Sequence, residues 1–120
     1  MSRSISTFPS TSFRTQALAL QALRLLPPIL HRIERHDRDL ARQLRRAASS
    51  VVLNLAEGAG LRGGHRRERW GTALGSAREC VAALQVAEAL GYVVGGEVAE
   101  AQVRFDRVAA STYRLLHGRR

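Results

Sequence analysis

The sequence predicts an all-α, antiparallel up-and-down four-helix bundle in a single domain. Three observations carry this. Apolar residues make up 45% of the 120 residues, so a real core can form, but aromatics are only 5%, so that core is built from Leu, Val and Ala. There are three prolines and few β-branched runs, a composition that favours helix over sheet. Four stretches repeat apolar residues in alternating steps of three and four, separated by short Gly- or Asp-containing breaks, which makes successive helices antiparallel neighbours.

Residues 1–12 are rich in Ser and Thr, carry Arg3 and no acid, and lack periodicity. They read as a disordered basic tail, with residues 13–118 forming the bundle. The first helix is expected from about Phe13 to Glu34, with Leu18, Ala22, Leu25, Ile29 and Ile33 on one stripe. Pro27 and Pro28 should kink it or split it in two. The second starts near Asp37 or Asp39, either able to cap it, and carries Leu40, Leu44, Ala47, Val51 and Leu55 until Gly58 stops it. The third runs from about His65 to Leu90, with Trp70, Leu74, Ala77, Val81 and Leu84 inward and Gly91 placed as the terminating glycine. The fourth follows Gly95 and Gly96 and packs Val98, Ala101, Phe105, Val108 and Leu115. Glu97 and Glu100 suit the positive end of its dipole, and His117, Arg119 and Arg120 the negative end.

Charge bounds the function. There are 19 arginines, no lysine and 10 acids, a net charge of +9. Such an excess attracts polyanions, and guanidinium groups fork onto phosphate oxygens. Cys80 is the only cysteine, which excludes an intramolecular disulfide and a cysteine-based metal cage and suits a reducing compartment. Residues 17–30 are apolar enough to imitate a signal-peptide core. Gln21, Arg24 and the proline pair interrupt them, no small-residue cleavage site follows, and a cytoplasmic location without membrane association is expected.

Two arginine clusters are candidate nucleic-acid contacts. Gly58, Gly60 and Gly63 formally spell a dinucleotide-type glycine loop, but it follows a helix, not a strand, and lacks a P-loop ending. The loop leads instead to Arg62, His65, Arg66, Arg67 and Arg69. Cations at a helix start oppose the dipole, and a local rule broken in this way marks a phosphate-binding candidate, set against a plain solvated basic loop. Arg38, Arg42 and Arg45 share one exposed face of the second helix, where they can track a phosphate backbone or pair with Glu34, Asp37 and Asp39. With few aromatics to stack on bases, backbone or shape recognition of structured RNA is expected.

Asn54 lies on or beside the core stripe with Glu57 one turn on. They are candidates for a ligand contact or for a buried register-fixing network with Arg46 or Ser76. Glu79, with Arg46 or Arg78, is treated in the same way. On the third helix Gly71, Gly75, Ala82, Ala83 and Val86 form a small-residue strip, and Gly71, Gly75, Ala82 and Val86 are the candidate oligomer interface. No Glu-x-x-His pair of a ferritin-like metal site occurs, and Cys80 has no nearby histidine. His31, His36 and His117 sit near helix ends, so no catalytic residue, metal or cofactor is assigned.

Residues 43–58, reading QLRRAASSVVLNLAEG, then Ala73, Leu74, Gly75 and Ser76 followed by Glu79, then Leu90, Gly91, Tyr92 and Val93, keep an order and spacing that resembles the bacterial 23S rRNA intervening-sequence proteins, also called the four-helix bundle protein family. The resemblance spans roughly residues 15 to 115. It implies a left-handed four-helix bundle, a homopentamer with a basic surface, a role in binding RNA or DNA, and no enzymatic activity. A related group serves as accessory protein of diversity-generating retroelements, which implies a reverse transcriptase or a ribosomal factor as an alternative partner. The sequence departs from the family before the Gly75–Ser76 motif, where Arg66, Arg67 and Arg69 replace common aromatics and only Trp70 remains.

Overall fold

In the computed structural model, which describes residues 10–118, five α-helices form four rods. They are α1 (Thr11–Arg24), α2 (Leu26–Glu34), α3 (Arg38–Ala59), α4 (Gly63–Ala89) and α5 (Gly95–His117). α1 and α2 are one rod broken at Leu25. An unbroken helix would ask residues 27 and 28 to donate to carbonyls one turn back, and proline has no N–H to give. The chain instead ends α1 with the Leu25 N–H on the Ala22 carbonyl at 3.1 Å and places both prolines in the first turn of α2. Of the two expected outcomes, the split is the one that occurs.

The amino end corrects the boundary of the expected tail. Ser10 caps α1, its Oγ accepting the Phe13 N–H at 3.2 Å, so Thr11 and Ser12 belong to the helix. The rest of that tail, residues 1–9, lies outside the described residues, as do Arg119 and Arg120. Asp37 caps α3 by accepting the Leu40 N–H at 2.9 Å, and Asp39 falls in its first turn. α4 closes with a Schellman motif: Tyr92 N–H reaches the Ala87 carbonyl at 2.9 Å, Gly91 N–H reaches Glu88 at 3.0 Å, and Gly91 takes the left-handed φ of 78°. Glu97 accepts the Val94 N–H at 3.0 Å, closing the start of α5.

The rods pack in a ring, α3 against α1, α2 and α4, and α5 against α4 and α1. The short turns make chain neighbours antiparallel. Phe105, Leu26, Ile33, Leu44, Leu55 and Leu84 are fully buried along a molecule 57 Å long. Every stripe residue named above on α3 is buried, as are Val98, Ala101, Phe105 and Val108 on α5. Elsewhere the core is displaced slightly: Leu18, Leu25, Val81 and Leu115 pack at its edge, while Thr15, Ala19 and Cys80 lie inside. Thr15 satisfies its hydroxyl on the Thr11 carbonyl at 2.9 Å and shares a hydrogen bond with Ser111 on α5.

Candidate nucleic-acid interface

The α3–α4 turn places the start of α4 beside two helix carboxyl ends, its own predecessor α3 and the antiparallel α5. This decides what its arginines do. Arg66 donates through Nε to the Gly58 carbonyl at 3.1 Å and through Nη2 to Ala59 at 3.2 Å, and its guanidinium lies 5.1 Å from the Trp70 ring centroid. Arg67 donates to the Leu116 carbonyl at 2.9 Å, near the end of α5. Arg69 pairs with Glu57 at 3.6 Å. The cations that oppose the dipole of α4 therefore complement the dipoles of its two antiparallel neighbours. The broken local rule has a structural cause.

Arg62 is the N-cap of α4 with no side-chain cap hydrogen bond, and it is exposed, as is His65. The helix starts at Gly63, two residues before the expected His65, because Gly63 adopts a φ of 55° and turns the chain directly from the extended Arg62. Gly58 does not stop α3 as expected. It is buried inside the helix, which continues to Ala59. Its missing side chain makes room for Trp70, whose Nε1 donates to the Leu55 carbonyl at 3.3 Å.

Sequence reasoning missed what the fold adds at this end. The amino end of α1 and the carboxyl end of α5 bring Arg14 and Arg114 to a shared cleft with Thr11 and Ser111. Among the described residues, the end of the bundle thus gathers Arg14, Arg62, Arg66, Arg67, Arg69 and Arg114 against the side-chain carboxylates of Glu57 and Glu68. A capping bond to a carbonyl leaves the guanidinium charge in place, so the field remains strongly positive.

Arg38, Arg42 and Arg45 are exposed on α3 near its opposite end, with Arg42 paired to Asp39 at 3.0 Å. At 1.5 Å per residue they lie about 30 Å from the Arg62 cluster. The structure does not join the two clusters into one patch, but both border α3.

The polar residues divide similarly. Asn54 Nδ2 donates to the Ser50 carbonyl at 2.9 Å and to Ser50 Oγ at 3.0 Å, and Ser76 Oγ donates to Ser50 Oγ at 2.9 Å. Ser50, which carries no local signal of a role, is the hub between α3 and α4. Arg46 and Glu79 are exposed and line the same shallow groove as Ser50 and Ser76, with no ion pair between them among the described residues. Glu57 joins Arg69 instead of this network. Gly71, Gly75, Ala82 and Val86 are exposed along α4, whereas Ala83 of the same strip is buried.

Cys80 is fully buried, and burial, with the nearby Glu79 charge adding to it, pushes its thiol from 9.0 up to about 12. The fold keeps the protonated form, so stability from this group is whole below about pH 9 and is lost as pH rises toward 12. The native protein should leave a disulfide dye unreacted at pH 8 and release one equivalent of thiol only on unfolding. Rapid native labelling would disprove the burial. Among the described residues no group of His, Cys, Asp and Glu is arranged to hold a metal ion, and no helix is long and apolar enough to cross a membrane.

The chain is similar in fold to a crystal structure of a protein of unknown function from the S23 ribosomal protein family of Bacteroides thetaiotaomicron, with a TM-score of 0.79 over 90% of this chain and 99% of that one. At 12% identity this likeness speaks for the architecture alone. No curated protein matches the chain in sequence. The model of the family described as 23S rRNA-intervening sequence protein matches residues 18–114, from α1 to near the end of α5, and takes in both arginine clusters. The chain therefore belongs to the 23S rRNA-intervening sequence protein family.

Proposed function

We propose that this protein is a non-enzymatic, oligomeric bundle that binds nucleic acid, structured RNA above all, through phosphate contacts. The observation that carries this is the gathering, among the described residues, of six arginines against the side chains of Glu57 and Glu68 at the α3–α4 end of the bundle. Arg62 and His65 face solvent there. A duplex lying along α3 would reach from this end to Arg38, Arg42 and Arg45, about nine or ten steps at 3.4 Å each. Affinity for structured RNA and duplex DNA should fall steeply with salt and depend little on sequence. Absence of binding to either at low salt would overturn the proposal and leave the basic surface to an acidic protein partner, such as a reverse transcriptase or a ribosomal factor.

Self-association rests on a separate feature. Apolar and small residues are spread around the whole circumference of α4, not confined to the face that enters the core. Outward, Gly71, Gly75, Ala82 and Val86 run toward Leu90, with Val86 43% and Leu90 58% exposed in the isolated chain. Small residues let a second backbone approach closely, and Val86 and Leu90 supply apolar area. Val86→Arg should leave helicity unchanged and reduce the molar mass measured by light scattering to that of one chain. A multimeric V86R variant, or a monomeric parent, would remove α4 from the interface. The homopentamer implied by the sequence resemblance is the specific assembly this measurement counts.

A further inference from the structure

At the other end of the molecule, α2, the α2–α3 turn and the α4–α5 turn enclose an open pocket lined by Pro28, His31, Arg32, Arg35, His36 and Tyr92. Its lining has two guanidinium groups and two imidazoles and no carboxylate. Glu97, which borders Arg32, is already engaged, with one oxygen on Arg32 and the other on the Val94 N–H, and Asp37 accepts the Leu40 N–H as the cap of α3. Arg35 has no ion pair among the described residues and is exposed. The rings of His36 and Tyr92 lie parallel, 6° apart in plane, with centroids 5.1 Å apart.

Both residues of the ring pair stand on turns whose backbone is fixed by hydrogen bonds. Tyr92 is the residue fixed by the Schellman motif that ends α4, and its ring packs in part against the core. His36 sits in the tight turn where its own N–H and that of Asp37 both return to the Ile33 carbonyl, at 2.9 and 2.8 Å. Two turns from distant parts of the sequence thus present a planar platform beside a free guanidinium. A planar π-system stacks on such a platform, and an arginine beside it forks onto a phosphoryl group. In a chain with only six Phe, Trp and Tyr residues, an aromatic placed at the rim of a cationic pocket is conspicuous.

We propose that this pocket binds a single unpaired nucleotide, its base stacked on the His36–Tyr92 pair and its 5′-phosphate on Arg35 with Arg32. The site is about 30 Å from the basic end along α3 and does not depend on it. The same chemistry is offered by a free mononucleotide and by the phosphorylated end of an RNA.

The test is an NMR titration of amide shifts with adenosine 5′-monophosphate, adenosine and inorganic phosphate as separate probes. The monophosphate should move the His36 and Tyr92 amides and bind at least about tenfold more tightly than either fragment. Tyr92→Leu, which keeps the core contact, and Arg35→Gln, at an exposed position, should each weaken it about tenfold. A variant altered only at Arg62, Arg69 and Arg114 should keep it unchanged. A short single-stranded RNA with a 5′-phosphate that outbinds the monophosphate assigns the site to RNA ends, and equal binding assigns it to free nucleotides; both uphold the site. No shift at His36 and Tyr92 with millimolar monophosphate overturns the proposal. So does equal affinity for inorganic phosphate, or undiminished affinity in Y92L and R35Q. Loss of this binding with salt-dependent duplex binding intact would refute the pocket alone.

Discussion

Replacing Gly58 with alanine is expected to destabilise the protein by about 1–3 kcal/mol, even though alanine is the better helix former by about 1 kcal/mol at an unconstrained site. The reason is contact. A Cβ at Gly58 would stand 2.5 Å from Trp70 Cδ1 and 2.6 Å from Trp70 Nε1, well inside any real approach. The indole is not free to swing away. Its N–H is bound to the Leu55 carbonyl, the Arg66 guanidinium lies over its ring, and it is itself 7% exposed. Moving it would loosen the two Arg66 bonds to the Gly58 and Ala59 carbonyls that close the end of α3. For a chain of this size each kcal/mol lowers the thermal midpoint by about 4 °C, so a drop of roughly 4–12 °C should be seen at fixed protein concentration. Gly58→Val should be worse, since it adds two methyl groups against the same ring. Gly60→Ala is the internal control, because a Cβ there meets nothing closer than the Glu57 carbonyl at 3.7 Å. Equal stability of G58A and G60A would show that α3 and α4 are not held together as described.

Gly58 also shows where sequence reasoning reaches its limit. A glycine at the end of a periodic run is an ordinary stop signal, and nothing local distinguishes it from a glycine needed for close approach. The distinction lies 12 residues away in Trp70, on another helix. The other rods were legible from their own apolar period, and α4, whose small and apolar residues run around it, from its inward Trp70–Leu84 stripe and the glycines that bound it. The break at Leu25 was legible because proline acts locally. The arginines of the α4 start were legible as a cluster and as a violation of the dipole rule. Their partners were not, because the Leu116 carbonyl is 49 residues from Arg67 and becomes a neighbour only when α5 returns antiparallel to α4. Arg114 escaped notice for the same reason. Tyr92 belongs to the Leu90–Val93 motif, but its parallel stack with His36 depends on two turns meeting.

These partners decide how the basic end should be probed. Changing Arg62, Arg69 and Arg114 together to Gln is expected to weaken binding to structured RNA by about two to three orders of magnitude near 0.1 M salt. The slope of log affinity against log salt should flatten by roughly three, about 0.9 for each phosphate contact removed. Arg66 and Arg67 are left in place because they close the ends of α3 and α5, and their loss would mix unfolding with lost charge. The three chosen positions cost the fold little. Arg62 makes no side-chain cap bond, Arg69 has only an exposed pair with Glu57, and Arg114 is exposed on the last turns of α5. Changing Arg38, Arg42 and Arg45 in the same manner separates a duplex lying along α3 from one docked on the bundle end. If both triple variants flatten the slope, the ligand spans the helix. If only the first does, the bundle end alone makes the phosphate contacts. A slope and affinity unchanged in both would take phosphate binding away from these clusters altogether, however basic the chain as a whole.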